Sequence, residues 1–214
     1  MTGFTTRVAA PPGEKALKTS KSVLPKPMKW LNPAHQASRY RRTSHRCPFE
    51  SDIQSRVNVL AGEIAAWKPK RLLVIPVLKG SFIFAADLIR AMHHAGLSPE
   101  VDFMILASYR EGTRSSGKVD VLRDIESLVK DRDVLLIDDI LESGRTLAFA
   151  KDLLMARGAS AVKSCVLLFK PGHLAANIGA DFTGFDCPDK FVVGYGMDMA
   201  HQFRELPFVG HVVT

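Results

Sequence analysis

The chain has 214 residues, 46% of them apolar and 24% charged, with a net charge of +7, the balance of an ordinary soluble globular protein. Its longest apolar runs, such as Leu72 to Leu78, fall far short of the ~20 residues needed to cross a bilayer, which excludes a membrane-spanning helix. Three scattered cysteines, Cys47, Cys165 and Cys187, form no Cys-x-x-Cys pair; a disulfide framework and a zinc site are excluded, and a reducing, cytoplasmic setting is expected.

The charge is unevenly divided. Residues 1–46 hold ten Lys or Arg against Glu14 alone, leaving nineteen bases and twenty-one acids in the remainder. That segment has no sustained apolar period and reads as a disordered basic extension, ahead of a near-neutral globular body over 47–214. A plain solvated tail is the favoured reading. An organelle transit peptide is a minor one, because prolines at 11, 12, 25, 27 and 33 would interrupt the amphipathic helix it needs. An arm touching RNA or anionic surfaces is the third.

From Ser51 the pattern becomes regular. Ser51 or Asp52 can cap a helix whose apolar positions Ile53, Val57, Leu60, Ile64 and Trp67 recur at three- and four-residue intervals. Lys68-Pro69-Lys70 ends it. Arg71 to Leu78 is a continuous apolar run, expected of a strand buried on both faces. Phe82 to His94 reads as a helix and Val101 to Tyr109 as a strand. A polar stretch from Gly112 to Lys118 precedes a short returning strand, Val119 to Arg123. Val134 to Ile137 is another buried strand, followed by a helix from Thr146 to Arg157 that Gly158 closes. Val162 to Phe169 is a strand, with shorter ones near Phe191 to Val193 and Val209 to Val213. Strand and helix in alternation predict an α/β fold with a mostly parallel sheet.

Ligands of open α/β sheets sit beyond the carboxyl ends of the strands. The most loaded loop there is Ile137-Asp138-Asp139-Ile140-Leu141-Glu142-Ser143-Gly144-Arg145-Thr146. Small residues at a strand-to-helix turn present backbone N–H groups, and the helix start adds positive potential, so Ser143 to Thr146 suit a phosphate. Three carboxylates beside a phosphate site call for sugar hydroxyls or a metal. The loop is not a Walker A motif, since Asp139 stands where that motif needs its first glycine.

This loop resembles the phosphoribosyl-pyrophosphate signature of type I phosphoribosyltransferases. Other segments resemble the hypoxanthine(-guanine) branch of that family: Val77-Leu78-Lys79-Gly80-Ser81 its pyrophosphate loop, and Ser108-Tyr109 with the stretch to Lys118 its flexible lid. Leu167 to Lys170 resembles its purine-contacting strand. Asp189 to Asp198, with Phe203-Arg204-Glu205-Leu206-Pro207, resembles its C-terminal hood. Together they cover about residues 50–213 in the family's order.

The resemblance implies the type I fold, a twisted mostly parallel sheet flanked by helices with a small hood and a lid. It implies Mg²⁺-dependent transfer of ribose 5-phosphate from phosphoribosyl pyrophosphate to N9 of a 6-oxopurine, releasing pyrophosphate. Asp138 and Asp139 would meet the ribose hydroxyls, directly or through Mg²⁺, with Asp198 a second Mg²⁺ contact. Ser143, Gly144, Arg145 and Thr146 would hold the 5′-phosphate; Lys79, Gly80 and Arg204 would receive pyrophosphate, in a loop where the family often has a non-proline cis peptide. Glu142 would accept the proton at purine N7, a position where the family more usually has Asp. Lys170 would donate to O6, Phe191 would stack on the base and the Val192 backbone would read its edge. Ser108 and Tyr109 would close over the reacting centre. A homodimer or homotetramer is implied as well.

Plainer readings stand beside these. Glu142 can be a helix-start acid facing the macrodipole, Lys79-Gly80 an ordinary turn, and Phe191 a core residue. Two further functions remain open: a guanine- or xanthine-preferring enzyme, and a non-catalytic nucleotide- or RNA-binding regulator on the same fold. The near-neutral body weighs against nucleic acid as a partner.

Overall fold

A computed structural model describes residues 47–111, 114–176, 178–187 and 189–211, with the backbone alone over 108–118. The basic extension, residues 1–46, lies outside the described residues, as do Gly112, Thr113 and residues 212–214.

The elements are α1 (Glu50–Ala66), β1 (Leu73–Leu78), α2 (Phe82–His94), β2 (Glu100–Val101), β3 (Met104–Glu111), β4 (Arg114–Arg123), β5 (Asp133–Leu141), α3 (Arg145–Ala156), β6 (Ala161–Phe169), β7 (Phe182–Asp186), β8 (Val192–Val193) and β9 (Gly210–His211). The main sheet runs β4-β3-β1-β5-β6-β7, with β2 also on β1. β1, β3, β5, β6 and β7 are mutually parallel, and only β4 is antiparallel to its neighbour. β8 and β9 pair apart from this sheet.

Side chains alternate across the strands, so one run of apolar residues serves two cores. Val74, Leu135, Ile137 and Cys165 pack with Ile53, Val57, Leu60 and Ile64 of α1 and Phe84, Leu88 and Met92 of α2. Leu73, Ile75, Val134, Leu136 and Val166 face the other way, against Leu147, Ala150 and Leu154 of α3. Truncating one of these fully buried Leu or Ile side chains to Ala would cost ~2–5 kcal/mol.

Local chemistry accounts for the ends. α1 begins slightly earlier than its sequence pattern predicts, because Asp52 caps from inside the helix: its Oδ2 accepts the Phe49 N–H at 3.1 Å. The chain leaves α1 through Lys68 at φ 55, ahead of Pro69. The strand expected over Val101–Tyr109 is instead two pieces, β2 and β3, interrupted at Asp102 and Phe103. Pro76 sits in β1, an interior strand where proline removes a ladder bond. Its missing N–H faces that interruption, since Leu72 and Val74 turn their carbonyls to the same side, accepting from Glu100 and Asp102 N–H.

The polar stretch expected over Gly112–Lys118 is largely strand, for β4 begins at Arg114 and pairs it with Glu111. A run of Arg, Ser, Ser, Gly and Lys offers no apolar alternation to betray that part of β4. β7, which the sequence pattern does not single out, completes the sheet beside β6. Arg56 of α1 reaches over β7, donating to the Thr183 carbonyl at 2.7 Å and the Gly184 carbonyl at 3.1 Å. No helix among the described residues is long and apolar enough to cross a membrane.

Candidate active site

Because β3, β1, β5, β6 and β7 are parallel, the loops after all five emerge at one edge. The chain builds β3 on one side of β1 and then returns to place β5 on the other. The crevice between the ends of β1 and β5 is therefore the topological switch point, where such sheets take ligands. Gly80 and Asp139 meet across it. A Cβ added at Gly80 would lie 1.8 Å from Asp139 Oδ2, so only glycine lets that carboxylate sit against the loop. The Leu78–Lys79 peptide is cis. Ser81, fully buried, donates from Oγ to the Val77 carbonyl at 2.6 Å and ties the loop to its strand. Lys79 itself is exposed.

Asp138 and Asp139 are half-buried at the end of β5, each bonding through Oδ1 to the next residue's N–H at 3.0 Å. Burial, and then the charge of Asp139, push the Asp138 carboxyl well above its ordinary range. Burial also raises Asp139, against the opposing effects of its bond with Asp138 and of the Arg204 cation. The pair thus tends to retain a proton until an outside positive charge arrives. Among the described residues no group of three or more His, Cys, Asp or Glu comes together as a metal cage, so Asp198 does not join Asp138 and Asp139 in one cluster. Two crowded carboxylates fit a hard divalent ion that takes its remaining oxygens from substrate and water, the usual habit of Mg²⁺.

Beyond β5 the turn Ser143-Gly144 opens α3, with Gly144 left-handed at φ 75. Ser143 Oγ accepts the Arg145 N–H at 3.4 Å. The segment after β6 folds back on this turn: Ala175 and Ala176 donate to the Ser143 carbonyl at 2.9 and 3.2 Å. Nothing in the residue types of that segment signals this brace.

Lys170 follows β6, its backbone N–H bonded to the Leu141 carbonyl at 2.9 Å. Only 6% exposed, it directs Nζ to Glu142 Oε1 at 3.4 Å. The expected O6 donor and the expected N7 proton acceptor are thus side by side, an adjacency that two separate motifs in sequence do not reveal. Phe191 is 57% exposed, which sets aside its reading as a core residue. Val192 is buried and pairs with His211 in the small β8–β9 ribbon.

Arg204 and Asp198 also come together. One Arg204 nitrogen pairs with Asp198 Oδ1 at 2.7 Å and the other donates to the Gly196 carbonyl at 2.6 Å; Asp198 Oδ2 accepts the His201 N–H at 2.8 Å. Ser108 and Tyr109 lie on β3, Ser108 paired with Val119 of β4, and their side chains fall outside the described atoms. Two contacts that no motif signals tie the hood to α2 and to the loop before it. Tyr195 reaches Asp87 of α2, and Gly196 abuts the Gly80 carbonyl, 2.1 Å from where its Cβ would stand.

A parallel sheet with a phosphate-type turn and paired acids at its switch point is the frame of a phosphoribosyl transferase domain, and that family's model matches residues 51–200. The hypoxanthine-guanine phosphoribosyltransferase of Bacillus subtilis (strain 168) is 43% identical over 162 residues, 75% of this chain and 88% of that one. A crystal structure of the Bacillus anthracis hypoxanthine-guanine phosphoribosyltransferase superposes with a TM-score of 0.73 at 39% identity, over 80% of this chain and all of that one. That of a Staphylococcus aureus hypoxanthine phosphoribosyltransferase gives 0.73 at 38%, covering 77% and 88%. The chain belongs to the type I phosphoribosyltransferase family, in its hypoxanthine-guanine branch.

Proposed function

We propose that the protein transfers the 5-phosphoribosyl group of phosphoribosyl pyrophosphate to N9 of hypoxanthine, and of guanine, giving the nucleotide and pyrophosphate. The observation that carries this reading is the pairing of two half-sites along one sheet edge. Asp139, beside Asp138, presses against Gly80 at the β1–β5 crevice, and Lys170 sits with Glu142 at the neighbouring β5–β6 ends.

In this reading the Ser143–Thr146 turn and the start of α3 hold the 5′-phosphate, and Lys79, Gly80 and Arg204 line the pyrophosphate side. Asp138 and Asp139 orient the ribose through its hydroxyls and would hold Mg²⁺ there. Bound Mg²⁺ would neutralise phosphate charge and ease departure of the leaving group. The C1–oxygen bond to pyrophosphate breaks as the N9–C1 bond forms, and the N7 proton passes to Glu142. The transition state has oxocarbenium character, so the enzyme must favour separated charges and exclude water. Ser108 and Tyr109, on the β3–β4 arm, are placed by this reading over the centre as its lid.

Lys170 supplies specificity. Its ammonium has only donors and suits an O6 acceptor, whereas adenine's amino group would set donor against donor. Phe191, exposed ahead of β8, is a ready stacking surface, and Val192 would read the base edge through its backbone. Asp198 serves the pyrophosphate side through Arg204, with a second Mg²⁺ contact as its further role. The phosphoribosyltransferase unit spans 47–214, with residues 1–46 a basic tail and the cytoplasm its setting. A homodimer or homotetramer belongs to the same proposal; Phe82, 44% exposed and three residues from Lys79, supports a contact there.

The test is pyrophosphate release by the full chain with phosphoribosyl pyrophosphate, with and without Mg²⁺, against hypoxanthine, guanine, xanthine and adenine. Release with oxopurines and metal only is expected. Release with adenine alone, or with no base, would contradict the reading.

A further inference from the structure

Tyr195 lies outside every role assigned above, yet its placement is tightly determined. It is 5% exposed, and three consecutive residues, Gly194, Tyr195 and Gly196, have φ of 96, 50 and 99. A tyrosine in left-handed backbone is uncommon and persists where its surroundings fix it. Here the phenol Oη donates to Asp87 Oδ2 on α2 at 2.6 Å, and Asp87 is also ion-paired with Arg90. Burial, and then the bond to Asp87, push the phenol upward, so it stays protonated and donates throughout the working pH range.

The neighbours of Tyr195 give this anchor a purpose. Its N–H donates to the Leu206 carbonyl at 2.8 Å, and Gly196 N–H donates to the Arg204 carbonyl at 3.0 Å. Arg204 returns a bond to the Gly196 carbonyl and pairs with Asp198. Gly196 stands directly on the Gly80 carbonyl, and α2 begins at Phe82, two residues beyond that loop. One helix therefore carries the pyrophosphate loop at its start and, a turn and a half further on, the acceptor that holds the hood segment bearing Arg204.

We infer that the Tyr195–Asp87 hydrogen bond is a strut that sets the separation between Arg204 and the Lys79–Gly80 loop, making Tyr195 a positioning residue for the pyrophosphate half of the site and not for the purine half. Of the purine half, Lys170 and Glu142 belong to strand ends and share no bond with Tyr195, and Val192 is held separately by its pairing with His211. The inference rests on the function proposed above.

The test compares Tyr195→Phe and Asp87→Ala, which remove the bond, with Asp87→Asn, which keeps an acceptor oxygen. Loss of a hydrogen bond to a charged group should raise KM for phosphoribosyl pyrophosphate about tenfold. KM for hypoxanthine should stay within about twofold, and Asp87→Asn should track the wild type. Hydrogen exchange at the Gly196 amide should quicken in Tyr195→Phe and Asp87→Ala. An unchanged KM for phosphoribosyl pyrophosphate in both, or an equal rise in both KM values, would overturn the strut. A wild-type protein without turnover would instead defeat the proposed function, and the Gly196 exchange rate would still decide the strut.

Discussion

Lys170 Nζ lies 3.4 Å from Glu142 Oε1, a cation and an anion held at the ends of adjacent parallel strands. Lys170 is almost wholly buried, whereas the Glu142 side chain is 37% exposed. The lysine therefore needs a partner more than the glutamate does, because an unpaired buried charge is costly. An oxopurine entering between them would replace one partner with its O6 and offer the other its N7 proton.

Lys170→Met should leave phosphoribosyl pyrophosphate binding intact while lowering kcat/KM for hypoxanthine by about 10- to 150-fold, the worth of a charged hydrogen bond of ~1.5–3 kcal/mol. Discrimination against adenine should narrow with it. Steady-state kinetics on both bases checks this; unchanged base preference would remove Lys170 from the specificity role.

Glu142→Gln should lower kcat by about 10²–10⁴-fold, the span general bases contribute, while Glu142→Asp should keep kcat within about tenfold of the wild type. If Glu142 only faces the α3 dipole, Gln would cost under ~1 kcal/mol of stability and leave the rate nearly intact. Paired kcat and thermal-melt measurements separate the two.

Gly80→Ala forces the new methyl into the Asp139 carboxylate. Overpacking of this kind costs ~1–3 kcal/mol, and here the carboxylate, at the edge of the crevice, is the group most able to move. Weaker phosphoribosyl pyrophosphate binding with a small change in melting temperature is expected. A large fall in stability with unaltered binding would place the cost in the core.

The Asp138–Asp139 pair gives the free protein a defined pH dependence. In the unfolded chain each ionises near ~3.9, whereas burial raises both in the fold, and the charge of Asp139 raises Asp138 further. The folded state therefore binds more protons, and stability falls as pH rises from about 4 through the raised range. Asp138→Asn removes one charge, so it should melt higher than the wild type at pH 7–8 and converge with it near pH 4. Melting curves without metal test this; a variant less stable at pH 8 would contradict it.

Much of the frame was readable from residue order. β1, β5 and β6 announced themselves as apolar runs, α2 matched its predicted limits, and Gly158 ended α3 as expected. The Ser143–Gly144 turn before α3 and the paired acids at the end of β5 were legible because their residue patterns are local. Contacts across the sheet were not. Glu142 meeting Lys170, Gly80 making room for Asp139, and Tyr195 reaching Asp87 join residues 28, 59 and 108 positions apart, and no local period encodes such distances. The first part of β4 was hidden for another reason, since its run of Arg, Ser, Ser, Gly and Lys shows no apolar alternation.

The most direct measurement is the identity of the product formed from hypoxanthine and phosphoribosyl pyrophosphate with Mg²⁺, by ultraviolet difference and mass spectrometry, with adenine run in parallel. The account predicts an N9-linked 5′-nucleotide of hypoxanthine with equimolar pyrophosphate, and no adenine nucleotide. Absence of any nucleotide while phosphoribosyl pyrophosphate still binds, or formation of the adenine product, would contradict it.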